Sequence, residues 1–151
     1  MADSRIVRIL EALVTKTAQD FTSNFSAYDM QGKVIAGFIS EPPYLPYGAV
    51  SFVDYTTQHG PTLGRYRSVA RFEIYLYAAG DTPTTRVKRA MNLTSDVINS
   101  ITANRFLGLD AGTIDDVLCN FTAVDGQNYG IENVGIGYIE VTTPFQSDGG
   151  I

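Results

Sequence analysis

The sequence of 151 residues contains one cysteine, one histidine and no tryptophan. A single cysteine, Cys119, excludes an internal disulfide and argues against a cysteine-based metal cage. The single histidine, His59, has no second histidine or cysteine with which to form a catalytic triad or a zinc site. Walker loops, nucleophile elbows and histidine-based metal motifs are also missing. We therefore expect a protein that is not an enzyme and that uses no cofactor or metal ion.

Positive charge and long apolar runs are scarce as well. Eleven Lys and Arg residues against sixteen Asp and Glu give a formal net charge of −5, whereas proteins that neutralise nucleic-acid phosphates carry clustered basic residues. No stretch approaches the roughly 18 apolar residues of a membrane span, and the first residues lack the pattern of a secretion signal. We expect no specific DNA binding, no membrane contact and a protein that stays in the compartment where it is made.

The residues that are present suit one globular domain. Hydrophobic residues make up 44% of the chain and charged residues 18%, a balance that favours a packed core over disorder. No linker, repeat or low-complexity tract divides the chain, so we predict a single domain over residues 1–151. Nine tyrosines and eight phenylalanines supply the aromatic content. Tyrosine tolerates half-burial, which is compatible with broad protein contacts.

Two segments place apolar residues at the three-and-four spacing of an amphipathic helix. The first follows Asp3 or Ser4 as a cap, and the second follows Asp81 or Thr82, with Pro83 at the first helical position. The predicted apolar stripes are Ile6, Ile9, Leu10, Leu13, Val14, Thr17 and Phe21, then Val87, Ala90, Met91, Thr94, Val97, Ile98 and Ile101.

The first turns of the second helix also carry Arg86, Lys88 and Arg89. The helix dipole disfavours cations at this end, so either a nearby acid or partner offsets them or they form a solvated basic patch. We favour the solvated patch.

Alternating or apolar runs predict strands at 34–39, where Gly37 interrupts the run, and at 49–56, 64–79, 116–124 and 134–143. In the long strand, alternate residues from Tyr66 to Leu76 form a core face, and the opposite face carries arginines and tyrosines. The polar segment 57–63 predicts a hairpin with a mobile tip. The last two strands are expected to pair antiparallel, and residues 144–151 to be a frayed tail.

Three further segments have irregular composition. The Pro- and Tyr-rich run 41–48 predicts a loop, which is either packed on the domain or an interface. Asp110, Asp115 and Asp116 lack the spacing of a calcium loop and are interpreted as turn and cap residues. Gly135-Ile136-Gly137 lies in a strand pattern, where glycines indicate a bulge or a close backbone approach.

The predicted class is therefore α+β: an antiparallel or mixed sheet with a long hairpin and two amphipathic helices packed on one face. The element order resembles the tail terminator, or tail completion, proteins of long-tailed bacteriophages over nearly the whole chain. The resemblance rests on the opening helix, the hairpin arm from Gly64-Arg65-Tyr66-Arg67 through Phe72-Glu73-Ile74-Tyr75-Leu76-Tyr77, the helix start Asp81-Thr82-Pro83 and the closing strand Gly137-Tyr138-Ile139-Glu140-Val141-Thr142.

The resemblance implies a structural virion protein made in the host cytoplasm and located in the tail or neck. It implies a homo-oligomer, a hexameric ring, that caps the tail tube protein, joins the head-tail connector protein and lets DNA pass without specific binding. The candidate residues for contacts with other subunits or the tube are Tyr44, Tyr47, His59, Arg65, Arg67, Arg71, Tyr75 and Tyr77. Two alternatives stay open: another small neck or baseplate protein, and a small oligomeric α+β enzyme built from scattered Asp, Glu and Tyr.

Overall fold

The computed structural model describes residues 3–39, 41–60 and 64–147. In this part of the chain two helices accompany a mixed sheet of five strands, with a short 3-10 helix at Gly126–Tyr129. The elements in chain order are α1 Arg5–Thr17, β1 Val34–Ala36, β2 Tyr47–His59, β3 Tyr66–Ala79, α2 Pro83–Thr102, β4 Leu118–Asp125 and β5 Val134–Ser147.

The sheet has the strand order β1-β2-β3-β5-β4. Only β1 and β2 pair in parallel, and the other three pairs are antiparallel. The long hairpin of β2 and β3 and the pairing of β4 with β5 are as predicted, and the α+β class is confirmed. Because β5 inserts between β3 and β4, the two edges of the sheet are the three-residue β1 and the eight-residue β4.

Both helices begin directly after a residue predicted as their cap, Ser4 for α1 and Thr82 for α2. The Ser4 hydroxyl accepts a hydrogen bond from the Val7 amide (3.3 Å), and the Thr82 hydroxyl accepts one from the Thr85 amide (3.2 Å), with Pro83 in the first turn of α2. Such caps satisfy amides that the helix itself leaves unpaired. The helices pack on one face of the sheet. The core between the helices and the sheet contains the buried apolar side chains of Ile9, Leu13, Phe72, Ile74, Leu93, Val97, Ile101, Ile139 and Val141. No helix in the described ranges has the length and apolar character needed to cross a membrane.

Two segments predicted as irregular are strand. Polar residues 57–59, predicted as part of the mobile tip, continue β2 because they pair with residues 66–68 of β3. The predicted frayed tail is wrong for residues 144–147, which extend β5 along β3. Phe145 is 1% exposed, and its burial holds this end of the strand in place. The rest of the predicted tip, 61–63, and of the tail, 148–151, lies outside the described residues.

Helix α2 buries a slightly different face from the predicted stripe. Ala90, Thr94, Val97 and Ile101 are buried as expected, whereas Met91 is exposed and the core position is taken by Leu93. The solvated basic patch is wrong for Arg86, which is buried and forms an ion pair with Asp125 of β4. Lys88 and Arg89 are exposed.

The close backbone approach predicted from Gly135 and Gly137 is present where α2 crosses β5. A Cβ on Gly135 would lie 2.1 Å from the Arg86 carbonyl oxygen, and one on Gly137 would lie 2.0 Å from the Thr94 hydroxyl. Real Cβ atoms do not approach so closely, so only glycine allows the helix to sit at this depth. The contact fixes how α2 lies across the sheet.

Candidate assembly surface

Most of the predicted interface residues lie on the face of the sheet away from the helices, here called the helix-free face. Arg67, Arg71, Tyr75 and Tyr77 alternate along β3 with the core residues, so their side chains share this face. Arg65 is exposed in the turn before β3, and its carbonyl accepts a hydrogen bond from Gly60 (2.8 Å).

The arginine row is partly neutralised within the chain. Arg71 lies opposite Asp54 of β2 and forms a bidentate ion pair, with Nε to Oδ1 at 2.7 Å and Nη2 to Oδ2 as the second contact. The hydrogen bond from Arg71 lowers the pKa of Asp54, and the same bond raises the pKa of Arg71. An acid on the neighbouring strand β2 thus neutralises Arg71.

Closer to the hairpin tip the face is exposed. Arg67 lies between Gln58 of β2 and Gln146 of β5 in the strand register, and its side chain is exposed. His59 ends β2, with its ring centroid 5.1 Å from that of Tyr66. Cys119 does not lie near the hairpin tip, because it is in β4, and β4 begins at the level of Asp54. Among the described residues of the tip, Arg67 is thus an exposed arginine without an acidic register partner.

Two glutamates face each other in the middle of the helix-free face. Glu73 of β3 is the register partner of Glu140 of β5. The Tyr138 hydroxyl lies 2.7 Å from Glu73 Oε1 and 3.2 Å from Glu140 Oε1, and the Tyr75 hydroxyl donates to Glu73 Oε2 at 3.2 Å. These phenols satisfy carboxylates that would otherwise repel each other on adjacent strands.

The same arrangement keeps the phenols protonated. Burial, the Glu73 charge and the hydrogen bond to Glu73 together raise the pKa of Tyr75 to about 12. Burial and Glu73 also raise the pKa of Tyr138. Both hydroxyls act as hydrogen-bond donors at neutral pH and neither can serve as a base. Sequence reasoning missed Tyr138 and Glu140 because only the register of β3 with β5 brings them next to Glu73.

An aromatic groove of about 470 Å³ adjoins the glutamates. Phe38 and Tyr129 stand exposed at its rim, and Tyr75 lies edge-on to Phe38 with ring centroids 6.0 Å apart. The groove is lined by Phe38, Ile39, Tyr75, Tyr77, Thr122, Val124, Tyr129, Ile131, Ile136 and Tyr138.

The described part of the chain contains no group of three or more His, Cys, Asp or Glu side chains that could hold a metal ion.

The Pro- and Tyr-rich segment packs over one end of this face and also leaves aromatic surface exposed. Tyr47 begins β2 and is buried with Tyr77, whose hydroxyl donates to the Ile39 carbonyl (3.2 Å). Tyr44 is about half exposed, and its ring lies edge-on to Tyr47 at 5.2 Å. The predicted loop is thus shorter than 41–48. Of its two tyrosines, Tyr44 is accessible to a partner and Tyr47 is not.

The lone thiol does not supply a reactive group. Burial raises the pKa of Cys119 to about 11, so the thiol is neutral at physiological pH, and the nucleophilic form of cysteine is the thiolate. The arrangement as a whole offers charge, hydrogen-bond donors and aromatic surface, which suit contacts between proteins.

Comparison with known proteins supports the fold. No protein-family model matches the chain, and no curated protein matches it in sequence. Among solved structures, it is similar to a chain from the virion of a native gene transfer agent particle, with a TM-score of 0.54 and 12% sequence identity. The similarity covers 94% of this chain and 92% of that chain. At this identity the two chains share a fold.

Proposed function

We propose that the protein is a structural virion component that caps the end of a phage tail tube as a closed ring and provides the surface that joins tail to head. The observation that carries the proposal is the shared fold with a chain of a gene transfer agent virion over nearly the full length of both chains. The element order, which resembles tail terminator proteins, favours the tail end over other places in the particle. The protein would be made in the host cytoplasm and end in the tail or neck.

The proposed role needs no catalysis and no cofactor. The accessible polar groups of the helix-free face are protonated phenols, paired carboxylates and arginines, which recognise proteins through charge and hydrogen bonds. Within this proposal the aromatic groove, rimmed by Phe38 and Tyr129, binds a protein segment and not a substrate.

A ring of identical subunits requires two different surfaces on each subunit, because each copy contacts the next one head to tail. Six copies, the number that the resemblance implies, would carry roughly −30 formal charges. Repulsion from this charge would let DNA pass through the ring without sticking. The remaining surfaces would contact the tail tube protein on one side and the head-tail connector protein on the other.

Mass measurement with and without tail tubes tests the proposal, followed by negative-stain imaging of capped tubes. We expect closed rings on tube ends, whether or not the free protein is monomeric. A protein that stays monomeric in both settings, or that binds tubes as a two-fold dimer, would contradict it. Binding at the opposite end of the tail would instead favour a baseplate protein.

A further inference from the structure

Two stretches of strand edge in this sheet are open, one on β4 and one on the second half of β2, which the short β1 does not cover. An edge strand presents unpaired amides and carbonyls, and native proteins guard it with lysine, proline or covering segments. Strand β4 is eight residues long, and in the described ranges β5 is its only strand neighbour. Residues 118–124 contain no charged residue and no proline. This edge is open to another strand.

Strand β2 is open along its second half. β1 covers the edge of β2 only at residues 48–50, and the Gly37 amide closes this coverage by donating to the Val50 carbonyl (2.7 Å). Within the described residues, β2 beyond this point pairs with β3 alone. Its residues 56–59 are all exposed. Each chain thus has two different stretches of open edge, and the stretch on β2 begins at a bulge between Phe52 and Asp54.

Each of these two edges carries exposed apolar side chains. On β4, Leu118 is 55% and Phe121 40% exposed, and at the start of the open part of β2, Phe52 is 46% exposed. The acids nearby are already neutralised within the chain, Asp54 by Arg71 and Asp125 by Arg86. Neither edge therefore carries a charge that would oppose pairing.

We infer that β4 of one copy pairs antiparallel with the open half of β2 of a second copy, so that the sheets of neighbouring subunits join edge to edge. The strand directions allow this, because β2 and β4 run in opposite senses within one sheet. Copies related by rotation about a ring axis keep that relation, and the contact is head to tail. The inference gives the proposed ring its subunit interface and rests on the proposed function for the ring itself.

The register can be derived from the sheet. Leu118 is level with Asp54 within one subunit, through Thr142 and Arg71. To clear β1, the β4 of a neighbour must shift toward the hairpin tip. The shift is an even number of residues, because an odd one would turn side chains to the wrong face.

A shift of four residues agrees with the geometry of closed sheets. Each subunit contributes four strands, β2, β3, β5 and β4, between one subunit junction and the next. These strands span about 19 Å at roughly 4.8 Å per strand. Four residues along a strand are about 14 Å, which corresponds to a strand tilt of about 35°. Closed barrels tilt by about 35–45°, whereas a shift of two residues would give only about 20°. This register places Asn120 opposite Thr56, and Phe121 opposite Tyr55 as an aromatic cross-strand pair.

Cysteine cross-linking tests the pairing in the full chain. In a Cys119→Ser background, one variant carries Asn120→Cys on β4 and the other Thr56→Cys on β2; both positions are exposed. The two are mixed, alone at high concentration and with tail tubes, and mildly oxidised. We expect about tenfold more disulfide-linked heterodimer in the mixture than homodimer of either variant, because pairing raises the local thiol concentration. A chain with both cysteines should link into a ladder that ends at a closed ring.

Two controls set the specificity. Asn92→Cys, at an exposed position of α2, replaces Asn120→Cys and should give no enrichment with Thr56→Cys. Gln58→Cys in place of Thr56→Cys should link less, because it is two residues out of register.

The outcomes separate the two proposals. Rings on tubes without cross-links at any of these pairs overturn the strand pairing and leave the proposed function standing. Excess homodimer of Asn120→Cys would mean that two β4 edges meet about a two-fold axis, which also overturns it. Specific heterodimers without rings on tubes would support the strand pairing while the proposed function fails.

Discussion

Arg86 and Asp125 form a buried bidentate ion pair that ties the start of α2 to the end of β4. Nε lies 3.0 Å from Oδ1 and Nη2 lies 2.8 Å from Oδ2, and the guanidinium also donates to the Gly80 carbonyl (3.4 Å). Only 5% of the Arg86 side chain and 15% of the Asp125 side chain remain exposed. The pair therefore links α2 and β4 through two residues that are 39 positions apart in the chain.

Breaking this pair from one side should destabilise the fold more than removing both charges. Arg86→Met leaves the largely buried Asp125 carboxylate without its main partner, whereas Arg86→Met with Asp125→Leu leaves no unpaired charge. Thermal unfolding of both variants should show the single variant as the less stable. Lys88→Met, an exposed change on the same helix, serves as the control and should unfold like the parent. A single variant as stable as the parent would show that the pair is not structural.

Lowering the pH should reduce the stability of the fold through Asp125 and Asp54. The hydrogen bonds from Arg86 and Arg71 lower the pKa of Asp125 and Asp54 below the ordinary value of 3.8. A lowered pKa in the folded state contributes stability that is present above pH 3.8 and is lost as the pH falls through the folded-state value. Urea unfolding across the acid range should show this fall, and Asp125→Asn should flatten it. An unchanged acid profile in Asp125→Asn, with exposed Asp81→Asn for comparison, would contradict the assignment.

A methyl group at Gly137 should push α2 off the sheet. The added Cβ would lie 2.0 Å from the Thr94 hydroxyl oxygen, and overpacking of this kind costs about 1–3 kcal/mol or more. The double variant Gly137→Ala with Thr94→Ala should recover part of the loss, because the nearest clashing atom is gone. Chemical denaturation of the four members of this cycle measures the coupling. Strict additivity of the two changes would mean that the clash is relieved elsewhere.

Charge reversal at Arg67 should impair assembly and leave the fold intact. The side chain is exposed on the helix-free face, where substitutions usually change stability by only about 0.5 kcal/mol. Arg71→Glu also breaks the pair with Asp54, so the swapped variant Arg71→Asp with Asp54→Arg is needed to separate stability from assembly. Circular dichroism, ring formation and tail length are the measurements, with DNA retardation as a control. Folded Arg67→Glu protein that caps tails normally would show that this arginine is ordinary surface.

Tyrosine titration should report the glutamate cluster. Tyr75 has its pKa raised to about 12 by burial and by Glu73, so its tyrosinate absorbance should appear later than that of an exposed phenol. Glu73→Gln should shift this titration toward the ordinary value of 10. Tyr44→Phe should leave the late-titrating phenols unchanged. A late titration that Glu73→Gln does not move would assign the whole shift to burial.

The features that the sequence predicted correctly depend on neighbours within a few positions. Ser4 and Thr82 cap helices whose first turns immediately follow them, and the core face of β3 repeats every second residue. Gly135 and Gly137 were interpretable because a glycine pair inside a strand pattern has few other uses.

The features that the sequence did not predict depend on partners far along the chain. Arg86 looked like a solvated cation because nothing near it in sequence marks Asp125 as its acid. Glu140 and Tyr138 joined the candidate surface only through the register of β5 with β3. The strands at 57–59 and 144–147 were missed for the same reason, since polar or proline-containing ends become strand only when a long partner pairs with them.

The insertion of β5 beside β3 also determines how the molecule must fold. The Thr143 hydroxyl bonds to the Ala70 carbonyl 73 positions earlier, and the central pair of strands forms only after the chain containing α2 and β4 has closed into a loop. Loop closure of this kind opposes folding until the distant strands meet. Chains dominated by such non-local pairings fold in roughly milliseconds to seconds, while helical bundles take microseconds. Until β5 pairs with β3, strand β3 lacks its second neighbour and the incomplete sheet has additional unpaired edges. Newly made protein is therefore most prone to aggregate before it folds.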